Sequence, residues 1–470
     1  MIFDETVTTH IPACDDGLLE ARITITDTNR RSVLKLLGSA AFVGGVGTAG
    51  AQPRSGRGKP KKGRIREMGH SLLSDPAGEY AEEDIRADGQ YGVVGSFFGE
   101  GGSFLVDLGN PTDPEEVHRV PSSSEIRNPD VAFDPRDGLY YRSQEPNEDG
   151  VEIAGVEVID YGYEEGSVSD PEIVAEIDVE ETHNVFPHPE EPILYATNET
   201  TGDPGLDIVD VSDPSDPEFL GEGGPDGALH DMVVDPETDR MHCAYISADE
   251  GGFEGYAILN VSDPASPEVV GTFDYATASN YTEVGEEGFE LCHYADYDPE
   301  RELAYVGDEK GTGVPGGKHV FDIGYEEGSP EEPVPIGFTV SPNAEEQDDL
   351  PAELFDWTTH NHDVISKGSN TLLVSGDYHE GTVVYDVSDP RDPTPTDRYR
   401  TDDDAEEVSK LIFPELSAPM AWGANYSEAR DLVFTSDMVT GVYTFKVTPA
   451  AGGNDEGSGR GGDSGQRGNR

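Results

Sequence analysis

Residues 206–222 read LDIVDVSDPSDPEFLGE. An apolar run with alternating character ends in Asp, an Asp-Pro turn follows, and a second apolar run begins. Alternation makes a half-buried strand, and Asp-Pro sets the turn: proline fixes φ while the aspartate side chain caps its own backbone. The same hairpin recurs at 104–120 (FLVDLGNPTDPEEVHRV), 257–273 (AILNVSDPASPEVVGTF) and 383–399 (VVYDVSDPRDPTPTDRY). Looser copies lie at 156–177 and 319–338, each with a Gly-Tyr-Glu-Glu-Gly insertion.

A second hairpin precedes each of these. Its copies are 83–97, 129–144, 183–199, 230–247, 293–309, 362–377 and 420–436. The chain therefore reads as seven units of four strands. The seventh unit ends at GVYTFKV (441–447) and lacks a last strand, which the segment near 63–73 (GRIREMGHSLL) is placed to supply. Seven four-stranded repeats predict an all-β, seven-bladed β-propeller whose last blade is shared between N- and C-terminal segments. That closure leaves no open sheet edge.

The Asp-Val-Ser-Asp-Pro core of 206–216, 257–267 and 383–393 resembles the LVIVD-repeat family of β-propellers, over roughly residues 83–447. The resemblance implies the propeller fold. It brings no catalytic residue with it.

Of 470 residues, 97 are Asp or Glu and 30 are Lys or Arg, a formal net charge of −67. Nucleic acid is not expected as a partner, because its binding needs a clustered basic face. So acidic a surface reads as halophilic: molar salt shortens the screening length to about 3 Å and removes most of the self-repulsion. The three cysteines, Cys14, Cys243 and Cys292, are too few and of odd number for a disulfide framework.

Residues 27–53 (DTNRRSVLKLLGSAAFVGGVGTAGAQP) hold paired arginines, an apolar run from Val33 to Val46 and a small-residue cleavage site at Ala49–Ala51. This resembles a twin-arginine export signal. The expected organisation is a signal peptide at 1–51, a basic linker at 52–66, the propeller at 67–449 and a Gly-rich tail at 450–470. The apolar run is too short for a membrane span. The mature protein is thus expected to be exported, extracellular or at the cell surface, as a monomer without a transmembrane segment. Among the Asn-X-Ser/Thr sequons, Asn198 and Asn280 fall in expected loops and suit glycan attachment.

Alignment of the first hairpins exposes a candidate site. Five residues before the turn stand Glu83, Pro129, His183, His230, His293, His362 and Met420. First strands line a propeller's channel, so four consecutive histidines form an arc near one mouth. Imidazole suits copper, zinc or iron; His360 and Glu83 are candidate further ligands, with Cys292 and Asp363 beside them. The alternative is an inter-blade latch, each imidazole bonding the next blade's backbone. The long loops 274–291, 340–361 and 401–418 belong to the same face; Phe355, Trp357 and Met420 are expected to contact a ligand there. The arc is similar in general layout to the channel histidines of the selenium-binding-protein/methanethiol-oxidase family, which are copper-dependent propellers. No residue roles transfer from that layout.

Two functions follow as expectations. One is an exported scaffold that binds a protein, a cell-surface polymer or a small molecule. The other is a copper- or zinc-dependent enzyme, an oxidoreductase or hydrolase, at the channel mouth.

Overall fold

In the computed structural model, the repeated turn aspartates do what their spacing predicts. Asp107 Oδ1 accepts the Gly109 N–H at 2.6 Å, and Asp210 and Asp386 accept from Ser212 and Ser388 at 2.8 and 3.1 Å. Asn260, which replaces the aspartate in one copy, caps Ser262 the same way at 2.8 Å. In the inserted copies Asp160 and Asp322 each take several successive backbone N–H groups, so the Gly-Tyr-Glu-Glu-Gly loop winds around a carboxylate.

The structure describes residues 65–448 apart from 75–78, 98–100, 148–150, 152, 154, 180–181, 199–202, 249–250, 279–288, 290, 299, 310–315, 343–357, 368–369 and 408–417. It also describes a separate hairpin, Thr6–Ile11 paired with Leu19–Thr24. That hairpin falls inside the expected signal peptide 1–51, while the twin-arginine motif and apolar run at 27–51 and the Gly-rich tail lie outside the described residues, as do Phe355, Trp357, Asn280 and Cys14.

Seven antiparallel four-stranded sheets follow one another. Blade 1 runs Tyr80–Ile85, Tyr91–Ser96, Ser103–Asp107, Glu115–Val120. Blades 2 to 6 begin at Val131–Phe133, Val185–Pro187, Ala228–Asp235, Cys292–Asp298 and Thr359–Lys367. Blade 7 holds Asn425–Ser427, Leu432–Asp437 and Gly441–Val447, and its outer strand is Ile65–Ser71 from the N-terminal side. That strand starts inside the stretch read as linker. The first strands touch one another in a closed ring around the axis. The fold is thus the expected seven-bladed β-propeller, closed by a shared last blade. Helix is scarce among the described residues; the 3-10 turn Asp404–Glu407 is one short instance.

The core lies between blades. Tyr195, Leu206 and Ile208 of blade 3 pack on Met232, Met241 and Cys243 of blade 4. Ile365, Leu372 and Val374 of blade 6 pack on Val433 and Phe445 of blade 7. Each sheet is covered on both faces, so a modest apolar fraction suffices. A recurrent glycine starts the third strand, and at Gly381 (φ +92°) a Cβ would stand 2.1 Å from the Tyr399 carbonyl oxygen.

The ring of first strands is clasped by aspartates. Asp84 accepts the Phe133 N–H, Asp130 that of Val185 and Asp363 that of Tyr426, each at 2.7 Å; Asp296 accepts that of Val364 at 3.1 Å. Each bond joins one blade's inner strand to the next. Burial pushes Asp84 up to about 6 and Asp130 and Asp363 up to about 7.

Candidate metal centre

Four imidazoles form a continuous file where the first strands start. Ring centroids are 4.5 Å apart for His183–His230, 3.9 Å for His230–His293 and 4.3 Å for His293–His360. Three of them are the expected arc residues. The fourth is His360 and not His362. The pairing of Thr359–Lys367 with its neighbour shifts register between Thr359 and His362. His360 therefore faces the file, while His362 packs edge-on against Tyr294 at 4.9 Å.

Glu309 closes the group. It follows the second strand of blade 5, Leu303–Asp308. His293 Nε2 lies 3.4 Å from Glu309 Oε2, and His360 Nε2 lies 3.6 Å from Glu309 Oε1. The three residues present ligand atoms all within 4.8 Å of one another. These separations are long for charge-assisted hydrogen bonds, which run about 2.7–2.9 Å. They match the ~3.4 Å between two ligand atoms that each stand about 2.0–2.1 Å from one tetrahedral ion. The residues present fit a transition metal.

Backbone bonds set the tautomers. His360 Nδ1 donates to the Trp422 carbonyl at 2.5 Å, and His230 Nδ1 donates to the His293 carbonyl at 3.0 Å. Each bond spans two blades, so both imidazoles are also latches. Each leaves its lone pair on Nε2, the arrangement a metal-binding histidine needs. His183 Nδ1 is 2.7 Å from Glu145, which is ion-paired to Arg127; the short two-stranded pairing of Ile126–Arg127 with Glu145–Pro146 carries both. Burial opposes the charge on Glu145, but Arg127 and His183 outweigh it and hold the carboxyl at about 2.

Burial disfavours charge on His230, His293 and His360. Burial lowers His360 to about 3. It lowers His230 and His293 well below the usual imidazole range, and the neighbouring imidazoles add to that. Burial lifts Glu309 to about 8, against the pull of His183 and a hydrogen bond from Tyr378. Lys318, fully buried behind the file, donates its ammonium to the His360 carbonyl; burial lowers it to about 8. Imidazole nitrogens beside one carboxyl form a soft-to-borderline ligand set.

The other expected residues fall elsewhere. Glu83 lies deeper in the channel, taking a 2.6 Å bond from Ser436. Asp363 is one of the inter-blade clasps. Cys292 is a buried free thiol, and burial raises both it and Cys243 well above the usual thiol range. Met420 is buried, its N–H bonded to Asp437 and its carbonyl to Met438. Asn198 follows the strand Ile193–Thr197, outside it as expected, but is only 2% exposed. Sequence alignment of first strands missed Glu309 and Glu145. Aligning second-strand ends finds the former, because Phe97, Gln144, Asn198, Ala248, Glu309, Tyr378 and Met438 occupy that position around the ring.

The comparisons with known proteins concern the fold. The family model described as LVIVD repeat matches residues 201–222, and the chain accordingly carries an LVIVD repeat within a seven-bladed propeller. No curated protein matches the sequence. Among solved structures, the β-propeller domain of Cps50 (Swd1) from Myceliophteria thermophila is 10% identical (TM-score 0.46), covering 79% of this chain and 97% of that one. The C-terminal WD40 domain of Sif2 is 8% identical (TM-score 0.48; 82% and 99%). A functionally unknown protein from Desulfotomaculum acetoxidans is 12% identical (TM-score 0.45; 66% and 83%).

Proposed function

We propose that this chain is a metal-binding β-propeller, holding a zinc or copper ion through His293, His360 and Glu309, with His230 and His183 beside them. The observation that carries this reading is the pair of Nε2–carboxylate separations, 3.4 and 3.6 Å, on histidines whose lone pairs stand on Nε2 or are free to do so. Binding is the primary role: the propeller supplies a rigid rim, and the ion gives that rim a point of attachment for a ligand or partner donor group. The export motif at Arg30–Arg31 and the net charge of −67 support an extracellular or cell-surface setting in high salt.

A second reading, catalysis, rests on ligand number. Three protein ligands leave one tetrahedral position open, as catalytic zinc sites do. When bound there, the ion would supply Lewis acidity. In that case Glu309 would bind as the carboxylate, its proton released on metal binding.

The test is reconstitution. Chelator-stripped protein is titrated with Zn2+ and with Cu2+ in molar salt. One equivalent bound tightly, with a rise in melting temperature, is expected. Loose binding of many equivalents, as an acidic surface alone gives, would overturn the reading.

A further inference from the structure

Below the histidine file, the channel opens into a cavity of about 700 Å3. It runs from the turns at Ala87–Asp88 and Pro135–Asp137 inward to Glu82, Glu83, Asp130 and Asp231. At its inner end two adjacent glutamates reach one spot. The register shift between Tyr80 and Glu83 disturbs the alternation of the strand. Each carboxylate is tied by one oxygen. Glu82 Oε2 accepts from Asn361 Nδ2 and Glu83 Oε2 accepts from Ser436 Oγ, both at 2.6 Å. The other oxygens converge on the bare face of Gly423, whose missing Cβ would stand 2.8 Å from Glu82 Oε1 and 3.2 Å from Glu83 Oε1.

We propose that Glu82 Oε1 and Glu83 Oε1 hold a hard divalent cation of the calcium class against Gly423, at a site separate from the histidine centre. The buried, unpartnered Glu83 Oε1 at that spot points to it. Glu83 is 1% exposed and Asn361 2%, yet Glu83 Oε1 and Asn361 Oδ1 have no partner. A buried acceptor left bare costs about 1–3 kcal/mol, more when charged. Carboxylate oxygens are the ligands that calcium takes, in a flexible shell of six to eight. Cavity water completes such a shell, beside Asp130 and Asp231. The absence of a nitrogen donor among these oxygens separates this site from the imidazole set above it.

The experiment uses the full chain, chelator-treated, in 1 M KCl to screen surface carboxylates. Terbium(III) is the probe, with luminescence sensitised through Trp422, the residue before Gly423, and competition by Ca2+ or Mg2+. Expected is saturable one-to-one binding, displaced by Ca2+ far more readily than by Mg2+. Glu83→Gln weakens it at least tenfold. Gly423→Ala does the same, because its Cβ meets only the movable ends of Glu82 and Glu83; it reports on the site should Glu83→Gln fold poorly. The His293→Ala, His360→Ala protein keeps terbium binding. Loss in that double variant alone, binding unchanged in Gly423→Ala, or binding that never saturates would overturn the proposal. Because zinc and terbium are read separately, either site can fail without the other.

Discussion

The Nδ1 of His360 donates to the Trp422 carbonyl across the boundary between blades 6 and 7, at 2.5 Å. One bond fastens two blades, fixes the imidazole tautomer and aims the lone pair at Glu309. Latch and ligand are therefore the same residue in two capacities. What decides between them is the acidic group: a latch needs no carboxylate 3.6 Å from its far nitrogen.

From that relationship follows a contrast between two histidines two residues apart. Loss of a group that merely orients a metal ligand costs about 10–100-fold in affinity, and loss of a ligand costs at least that. Glu309→Gln and His360→Ala are expected to weaken zinc binding by that much or more. His362→Ala is expected to leave it unchanged, since His362 sits against Tyr294. Isothermal titration of the three variants checks this; equal losses in His360→Ala and His362→Ala would contradict the register shift.

The buried aspartate clasps make stability pH-dependent. Burial lifts Asp130 to about 7, with Asp84 adding to it, while N–H bonds from Val185 and Val131 and the nearby His183 work the other way; Glu82 and Asp231 also face it. Its folded value lies above the unfolded value of about 3.9. The folded state thus holds the proton between about pH 4 and 7. Stability from this group is complete below pH 4 and lost as pH rises through 7, by as much as ~4 kcal/mol at 1.36 kcal/mol per unit. Denaturant melts of wild type and Asp130→Asn should diverge progressively between about pH 4 and 7 and run parallel above that. Curves parallel through that window as well would contradict the assignment.

Closure by the N-terminal strand is a further claim. Ile65–Ser71 pairs with Gly441–Val447, and Ile65 packs with Val447 and Phe445. Deleting residues 65–71 bares a strand edge. A fall in melting temperature and concentration-dependent association are expected by light scattering; an unchanged melt would contradict the shared blade.

Cys243 and Cys292 are wholly buried, and burial raises both thiols well above their usual range. In a Cys14→Ser chain, neither is expected to react with an aromatic disulfide reagent until denaturant is added. Fast reaction of either in the folded protein would contradict the packing between blades 3, 4 and 5.

Most of the architecture was readable because each blade repeats a local device. Asp107, Asp210 and Asp386 cap turns within a few residues of themselves, and such bonds depend on sequence neighbours alone. The site was readable in part. His183, His230 and His293 share a frame with the turn and were found by it. His360 was set aside as a secondary candidate because a bulge, which frame counting cannot register, moves it into the file. Glu309 comes from a second strand, and its approach to His293 depends on how strand ends stack around the axis. Phe355 and Trp357 lie outside the described residues.

The most direct test of the account is metal content. Wild type and the His293→Ala, His360→Ala double variant are purified in molar salt without an affinity metal and measured by elemental analysis. The account predicts near one equivalent of zinc or copper in wild type and its loss in the variant, with the β-sheet spectrum of both the same. Equal metal content in the two proteins, or none in wild type even after reconstitution, would contradict it.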